Sequence, residues 1–195
     1  TIESLSLERA DVRVPLVLDE AEIGAVELDY SHFERDLSGQ GVTVESMSGY
    51  ETVFGGNAEF HESAVTGTVN FREADFRDDV DFGDTVFEDE VVFDAADLYG
   101  DSNRLDDNTS FDGARFEAPA SFRQTEGEFT SFADVTFDAP AVFTEAVFDG
   151  DANFSATTFA DTAAFDEARF LEDTTFADAT FAVGAAFNGA VFEGG

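Results

Sequence analysis

The sequence predicts an all-β fold in which one continuous chain winds into a four-sided parallel β-helix. Phenylalanine recurs at alternating steps of five and six residues, a small or β-branched residue stands two positions before most of these phenylalanines, and polar residues fill the positions between. In an extended chain, residues two apart point to the same face. The small residue and the phenylalanine therefore point into a shared core, while their neighbours face water.

The phenylalanine series is most regular in the carboxy-terminal part of the chain, and shorter runs of it extend from Phe71 to Phe93 and from Phe111 to Phe122. Stacked turns place these rings above one another, and each buried ring contributes about 2–3 kcal/mol to the free energy of unfolding. The predicted structural core of the regular stretch consists of Phe132, Phe137, Phe143, Phe148, Phe154, Phe159, Phe165, Phe170, Phe176, Phe181 and Phe187.

The main alternative is a helical coil, because eleven residues also span three α-helical turns. At about 100° per residue, successive phenylalanines would lie about 140° apart and would form no single stripe. The many Asp, Gly, Thr and Val residues are also poor helix formers. Strands are therefore favoured. Two five-residue sides and two six-residue sides close a turn of about 22 residues that rises about 4.8 Å, which predicts about nine coils.

We expect residues 1–195 to form a single solenoid domain. Residues 1–53 keep the same spacing with aliphatic centres, as in the pairs Leu5 and Leu7 or Val26 and Leu28, and the pattern is loosest from Leu37 to Gly49. Residues 54–195 have phenylalanine centres. The first segment is therefore interpreted as less regular coils of the same solenoid and not as a second domain.

The tandem small-x-Phe units resemble the pentapeptide-repeat family, in particular its Phe-centred variant with alternating five-residue and six-residue spacing. The resemblance is specific from Phe54 to Phe192. It implies a right-handed quadrilateral β-helix. Some pentapeptide-repeat proteins similar in fold protect or inhibit type II topoisomerases by mimicking DNA. Those members usually carry a dimerising carboxy-terminal helix, for which this sequence has no corresponding segment.

The repeat is interrupted between Phe93 and Phe111, whose separation exceeds the eleven-residue repeat. About seven residues are extra, and we predict a loop insertion at residues 99–108. Loops on rigid scaffolds often carry function, so the insertion is the candidate interaction loop; the alternative is a tolerated surface insertion. Its candidate residues are Tyr99, Asp101, Asn103, Arg104, Asp106 and Asp107.

A second interruption lies between Phe122 and Phe132, whose separation is one residue shorter than the repeat. Gly127 stands where a core residue is expected, and Phe129 is out of phase with the series.

The chain is strongly acidic, with 44 Asp and Glu against nine basic residues and a formal net charge of −35. All the basic residues are arginine, a composition that resembles that of salt-in extreme halophiles. At molar salt, charge repulsion is screened beyond about 3 Å, and carboxylates keep the surface hydrated. Adaptation to high salt is the favoured interpretation, and mimicry of a polyanion is the alternative.

The sequence contains little that points to catalysis. Without cysteine, disulfides, thiolate nucleophiles and zinc–thiolate sites are excluded. His32 and His61 flank inward phenylalanines and are expected to face solvent without the converging partners that a metal site or general base needs. The Asp101-x-Asn103 segment lacks the later glycine and glutamate of a calcium-binding EF-hand loop. We therefore expect no enzyme activity, no cofactor and no dedicated metal site, but loosely bound cations.

The leading hypothesis is a non-enzymatic structural and protein-interaction scaffold adapted to high salt. The alternative is a DNA mimic that binds or protects a type II topoisomerase such as DNA gyrase, since nine coils would carry roughly one net charge per 1.2 Å against about 1.7 Å in duplex DNA. Acids gathered in two stripes would favour mimicry, whereas acids spread over all sides would favour salt adaptation.

The sequence names no protein partner. Exposed strand edges at the solenoid ends predict either end-to-end self-association or further flanking segments that cover them. Direct nucleic-acid binding is disfavoured because no basic surface is evident. No apolar run reaches the length of a membrane span, and no signal-peptide pattern is present. A high-salt cytoplasm is favoured over the cell exterior.

Overall fold

The computed structural model describes residues 1–99 and 109–194. Within these ranges the chain forms 32 short strands and no helix, and every strand pair is parallel. Between the first and last turns, a strand pairs with the strand one turn earlier and the strand one turn later, as in β10 (Ala64–Val65) between β7 (Thr43–Ser48) and β14 (Val86–Phe87). The predicted all-β parallel solenoid is therefore confirmed.

Four stacks of strands form the sides of the solenoid, called faces 1 to 4 in the order in which the chain visits them. Face 1 contains β10, β14, β18 (Arg115–Phe116), β22 (Thr136–Phe137), β26 (Thr158–Phe159) and β30 (Thr180–Phe181). Face 2 contains β11 (Val69–Asn70), β15 (Val91–Val92), β19 (Ala120–Ser121), β23 (Ala141–Val142), β27 (Thr162–Ala164) and β31 (Gly184–Ala186). In the first turns, the longer strands β1 (Ile2–Ser6), β4 (Glu22–Glu27) and β7 run across both faces.

The other two faces are separate sheets. Face 3 contains β2 (Asp11–Val12), β5 (His32–Phe33), β8 (Val53–Phe54), β12 (Asp75–Phe76), β16 (Asp97–Leu98), β20 (Glu126–Gly127), β24 (Val147–Phe148), β28 (Arg169–Phe170) and β32 (Val191–Phe192). Face 4 contains β3 (Leu16–Val17), β6 (Leu37–Ser38), β9 (Ala58–Glu59), β13 (Val80–Asp81), β17 (Thr109–Ser110), β21 (Thr130–Ser131), β25 (Ala152–Asn153) and β29 (Thr174–Thr175).

The solenoid makes about eight turns, since face 4 contains eight strands and face 3 contains nine. This is slightly fewer than the nine coils expected from chain length, because the residues inserted after Tyr99 add length without adding a turn. The turns also lengthen along the chain. Ile23 pairs with Val44 and Met47 pairs with Val69, so the turn that follows Met47 is one residue longer than the turn that follows Ile23.

Two kinds of corner explain the alternation of five and six residues. Faces 2 and 4 end in a residue with a positive φ, as at Glu73 with a φ of +57°. There the N–H of Ala74 donates to the carbonyl of Phe71 at 3.1 Å, as in a type II turn. From Val65 onward, the corners that follow faces 1 and 3 normally contain one more residue than those that follow faces 2 and 4. Among the described residues, none with a positive φ stands at the corresponding position of these longer corners. A five-residue side therefore alternates with a six-residue side.

Phenylalanine rings fill the axis in stacked columns, one under each face. Phe137, Phe159 and Phe181 stack on face 1 with ring centroids 5.1 and 4.8 Å apart. Rings of adjacent columns meet edge to face, as Phe143 and Phe154 do at 5.5 Å and 88°, a favoured geometry for aromatic pairs. Of the regular series named above, the rings from Phe132 to Phe170 are buried, and those in the last described turn are partly buried.

Buried hydroxyls also connect successive turns. Thr157 Oγ1 donates to the Phe132 carbonyl at 2.7 Å, and Thr85 Oγ1 donates to the Phe60 carbonyl at 2.7 Å. Each of these threonines occupies the small inward position two residues before a core residue. A hydroxyl at this position is therefore accommodated in the core because it finds a backbone acceptor.

Candidate interaction surface

The predicted insertion falls in the sequence between a face 3 strand that ends at Leu98 and a face 4 strand that begins at Thr109. On face 4, Val80 pairs with Thr109, and Thr109 in turn pairs with Thr130. Compared with a regular turn such as that from Ala64 to Val86, the first of these turns contains seven additional residues and the second contains one fewer. Of the candidate loop residues, Tyr99 is described, whereas Asp101, Asn103, Arg104, Asp106 and Asp107 lie outside the described residues.

Tyr99 links the start of the insertion to later turns. Its hydroxyl donates to the Asp149 carboxylate and lies 3.4 Å from Glu126 Oε2. Partial burial, the hydrogen bond to Asp149 and the surrounding negative charges raise the pKa of Tyr99 above its ordinary value. The phenol therefore remains protonated, and its bond to Asp149 joins residues that are 50 positions apart in the sequence.

Asp97, two residues before Tyr99, lies in a column of acidic residues on face 3. It is flanked in register by Asp75 and Glu126. Burial raises the pKa of Asp97, opposed by the hydrogen bond from the Tyr99 backbone N–H, and the neighbouring carboxylates of Asp75 and Glu126 raise it further. The ionised form of Asp97 is therefore disfavoured by the fold.

Gly127 interrupts the column of rings under face 3. It pairs with Leu98 of the previous turn and Phe148 of the next. Gly127 is buried at the inward position, as the sequence pattern indicates, and Phe129 lies at the corner, half-buried beside an open groove. The corner that carries the insertion in one turn is therefore the corner that is shortened in the next.

The acidic side chains are spread over all four faces, with corner residues assigned to the preceding face. On face 1 they are Glu3, Glu22, Glu45, Glu88, Asp89, Glu90, Glu117, Asp138 and Asp161, and on face 2 they are Glu8, Glu27, Asp29, Glu51, Glu73, Asp94, Glu145, Asp166 and Glu167. Described acids of face 3 are Asp11, Glu34, Asp36, Asp75, Asp78, Asp79, Asp97, Glu126, Glu128, Asp149, Asp151, Glu172, Asp173 and Glu193, and those of face 4 are Asp19, Glu20, Glu59, Glu62, Asp81, Asp84, Asp112, Asp134 and Asp178.

Arginines offset this charge on only some faces. Arg115 contacts Asp138 on face 1 at 2.8 Å, and Arg72 contacts Asp94 on face 2 at 3.0 Å. Exposed pairs of this kind contribute about 0–1 kcal/mol each. Among the described residues, face 4 carries no arginine, so its carboxylates have no arginine partner on their own face.

Some of the acids serve as structural acceptors between turns. Asp29 Oδ1 accepts hydrogen bonds from Ser48 Oγ at 2.5 Å and from the Tyr50 N–H at 2.9 Å. Asp112 Oδ1 accepts the corresponding bonds from Ser131 Oγ and the Ala133 N–H. The acidity of the surface therefore contributes to the stacking of turns as well as to hydration.

Face 4 contains shallow open grooves. One of about 270 Å³ is lined by Gln40, Glu59, His61 and Asp81 among others, and a second of about 420 Å³ is lined by residues around Ser131. In the first, Gln40 Nε2 donates to Glu59 Oε2 at 2.9 Å, and His61 Nδ1 lies 3.2 Å from Asp81 Oδ2. These polar grooves expose amide, hydroxyl and carboxylate groups to solvent.

Both histidines lie on the outer surface. The His32 side chain is 47% exposed and the His61 side chain is 34% exposed. Over residues 1–99 and 109–194, no group of three His, Asp or Glu side chains is arranged to hold a metal ion. The same ranges contain no helix with the length and apolar character required to cross a bilayer.

Comparison with known proteins finds a matching family model and similar solved structures. Residues 50–97 and 132–180 match a family model described as pentapeptide repeats, with nine copies. The structure of HetL, a pentapeptide repeat protein involved in heterocyst differentiation regulation in the cyanobacterium Nostoc sp. strain PCC 7120, aligns with 98% of this chain and 90% of its own, at 14% identity and a TM-score of 0.30. Among curated protein sequences no match was found. The fold assignment rests on the strand pairing described above.

Proposed function

Because the chain belongs to the pentapeptide-repeat family, we propose that it is a non-enzymatic scaffold that presents regular outer faces to a protein partner in a high-salt environment. The observation that carries this proposal is the filled axis of the solenoid. Columns of stacked rings such as Phe143, Phe165 and Phe187, with centroids 4.8 Å apart, occupy the space where an interior pocket would lie. The described surface instead offers open, shallow grooves that suit a macromolecular partner better than a small substrate.

The scaffold role is supported by the way in which the turns are joined. Each turn is connected to its immediate neighbours by backbone pairing, by stacked rings and by the hydrogen bonds of buried hydroxyls. Acids such as Asp29 add hydrogen bonds that they accept from the next turn. The stability of such a solenoid is approximately a sum of neighbour terms. A long, stiff surface of this kind holds outward side chains at a spacing of about 4.8 Å along each face.

Adaptation to high salt is supported by the distribution of acids. Carboxylates lie on all four faces, including face 4, where no described arginine offsets them. Close approach of many like charges destabilises a compact chain in dilute solution, and molar salt screens this repulsion. The same carboxylates attract water and loosely bound cations, and we include that binding in the proposal.

DNA mimicry gains no support from this distribution. A mimic that fills the DNA site of a type II topoisomerase would gather its acids in two stripes and leave other faces less charged. The acids here occupy every face, and arginines such as Arg72, Arg77 and Arg115 partly neutralise three of them. Self-association through the solenoid ends stays a separate prediction.

Site-specific photocrosslinking tests the scaffold proposal. A photoreactive amino acid is placed at one outward position per face, at Ser131, Thr136, Val142 or Val147, and each variant is irradiated in native extract at molar KCl. We expect one face to capture a single abundant protein while the other three serve as matched controls. Equal, diffuse crosslinking from all four positions would contradict a dedicated interaction face.

A further inference from the structure

A small enclosed cavity lies inside the solenoid where the column of rings under face 3 is interrupted. The cavity measures about 10 Å³, and its lining includes Leu98, Phe122, Phe132 and Phe148. Gly127 occupies the inward position in this turn and contributes no side chain to fill it. The cavity therefore takes part of the space that the Phe148 ring occupies in the next turn.

The shortened corner explains why a ring is missing here. Thr130 follows Gly127 by three positions, whereas Val80 follows Phe76 by four at the same corner two turns earlier. A Cβ atom at Gly127 would lie 2.6 Å from Thr130 Oγ1. Only glycine fits at this position without displacing Thr130, whose hydroxyl points towards the space left by the glycine.

Thr130 is an unusual member of the set of inward threonines. Its relative exposure is only 3%, and its Oγ1 has no hydrogen-bond partner among the described residues. By contrast, the buried hydroxyls of Thr125 and Thr157 donate to the carbonyls of Phe93 and Phe132. A buried hydroxyl without a partner is unfavourable because it has lost its bonds to solvent and gained none in return.

The wall of the cavity contains a second hydroxyl. Thr125 lines the cavity together with Thr130, and its Oγ1 donates its proton to the Phe93 carbonyl at 2.9 Å. A threonine oxygen that donates one hydrogen bond still has lone pairs that accept others. The site therefore offers one hydroxyl able to donate or accept and one able to accept.

We propose that this cavity binds one water molecule, held between the hydroxyls of Thr130 and Thr125. A buried water needs about 10–15 Å³ and at least two polar partners, and the cavity meets both requirements. Thr130 Oγ1 donates to the water, and the water donates one of its protons to Thr125 Oγ1. The water satisfies the unpaired hydroxyl and fills part of the space left by the missing ring.

Crystallography of the full chain at high resolution tests this proposal. We expect a density peak within hydrogen-bond distance of both threonine oxygens in the wild type and no peak in Thr130→Val, which removes the donor while keeping a branched side chain. Thr157→Val serves as the matched control and should keep the peak, because Thr157 lies outside the cavity lining. A wild-type cavity without density, or a peak that persists in Thr130→Val, would overturn the proposal.

Nuclear magnetic resonance provides a test that does not depend on folding of a variant. In the wild type, a water held inside the core exchanges slowly and gives cross-relaxation peaks with nearby protons of Thr125 and Thr130. We expect such peaks at both residues. Their absence from both, in a spectrum where other buried protons are resolved, would show that the cavity is dry.

Discussion

Leu98 pairs in register with Gly127 across the long turn that contains the insertion, and Gly127 pairs with Phe148 across a turn one residue shorter than a regular one. The solenoid therefore absorbs seven additional residues in one turn and loses one in the next without moving any strand to another face. This is possible because lengthening a surface loop adds only a small entropic cost to closing it. Length changes are confined to a corner, and the inward pattern resumes directly after it.

Deletion of residues 101–107 should restore a turn of regular length and leave the fold intact. We expect a far-ultraviolet spectrum unchanged in shape and a free energy of unfolding within about 1 kcal/mol of the wild type, because register on both sides is already in phase. Circular dichroism and urea unfolding at molar KCl measure both quantities. Loss of cooperative unfolding would mean that the insertion forms part of the core.

Phe159→Ala should open a cavity in a stacked column and lower the free energy of unfolding by about 3–5 kcal/mol. The ring is 1% exposed and lies between those of Phe137 and Phe181. Urea unfolding at constant salt is the measurement. Phe192→Ala is the control, since that ring is 52% exposed and should cost far less. A loss below about 1 kcal/mol at Phe159 would contradict its place in the core.

Thr157→Val should lower the free energy of unfolding by about 1–3 kcal/mol, because it leaves the buried Phe132 carbonyl without its hydrogen bond from Thr157 Oγ1 at 2.7 Å. Valine keeps the branched shape, so packing changes little. Thr158→Val, at the next residue in the sequence, which begins β26 and points outward, is the control and should have little effect. Equal effects of the two substitutions would show that the buried hydrogen bond contributes nothing measurable.

Stability should increase with salt concentration. The formal net charge is −35 and acids occupy every face, so repulsion is strongest in dilute buffer and is screened as salt is added. The melting temperature is expected to rise continuously from dilute buffer to molar KCl, as followed by circular dichroism. A melting temperature independent of KCl would refute adaptation to high salt.

Asp97→Asn should stabilise the fold at neutral pH by up to about 1 kcal/mol. Burial, together with the carboxylates of Asp75 and Glu126, raises the pKa of Asp97 in the folded state. A raised pKa in an acid means that its charged form opposes folding, so stability is lost as pH rises through the folded pKa and is retained below the ordinary value of 3.8.

The pH dependence of unfolding therefore distinguishes this effect from general charge removal. The difference between Asp97→Asn and the wild type should vanish below the ordinary Asp pKa, where Asp97 is protonated in both the folded and the unfolded state. Glu88→Gln removes one charge at an exposed position and is the control. An equal gain from both substitutions would assign the effect to net charge and not to the environment of Asp97.

The sequence alone was sufficient to predict the strands, because alternation of inward and outward residues is a local property. It also located both interruptions, at the insertion and at Gly127. It did not reveal the bond between Tyr99 and Asp149, which are 50 residues apart and meet only because two intervening corners differ in length. The face to which each acid belongs likewise depends on how many residues every earlier corner contains.

Three glycines at inward positions show what the sequence alone leaves open, namely which atoms fill the space where a side chain is missing. At Gly39 and Gly49 a Cβ would meet the rings of Phe60 and Phe71 at 2.8 and 2.7 Å, so a ring from the next turn already fills the space. At Gly127 the nearest atom is the Thr130 hydroxyl at 2.6 Å, and a cavity is left.

The spacing of residues determined by itself that this chain coils, which side chains turn inward and where the coil is interrupted, because each of these follows from neighbours along the chain. Only the tertiary structure decided what occupies the space beside each glycine and which charges share a face. Those outcomes depend on contacts between successive turns, as between Ala64 and Val86, where a single residue gained or lost at a corner changes which side chains meet.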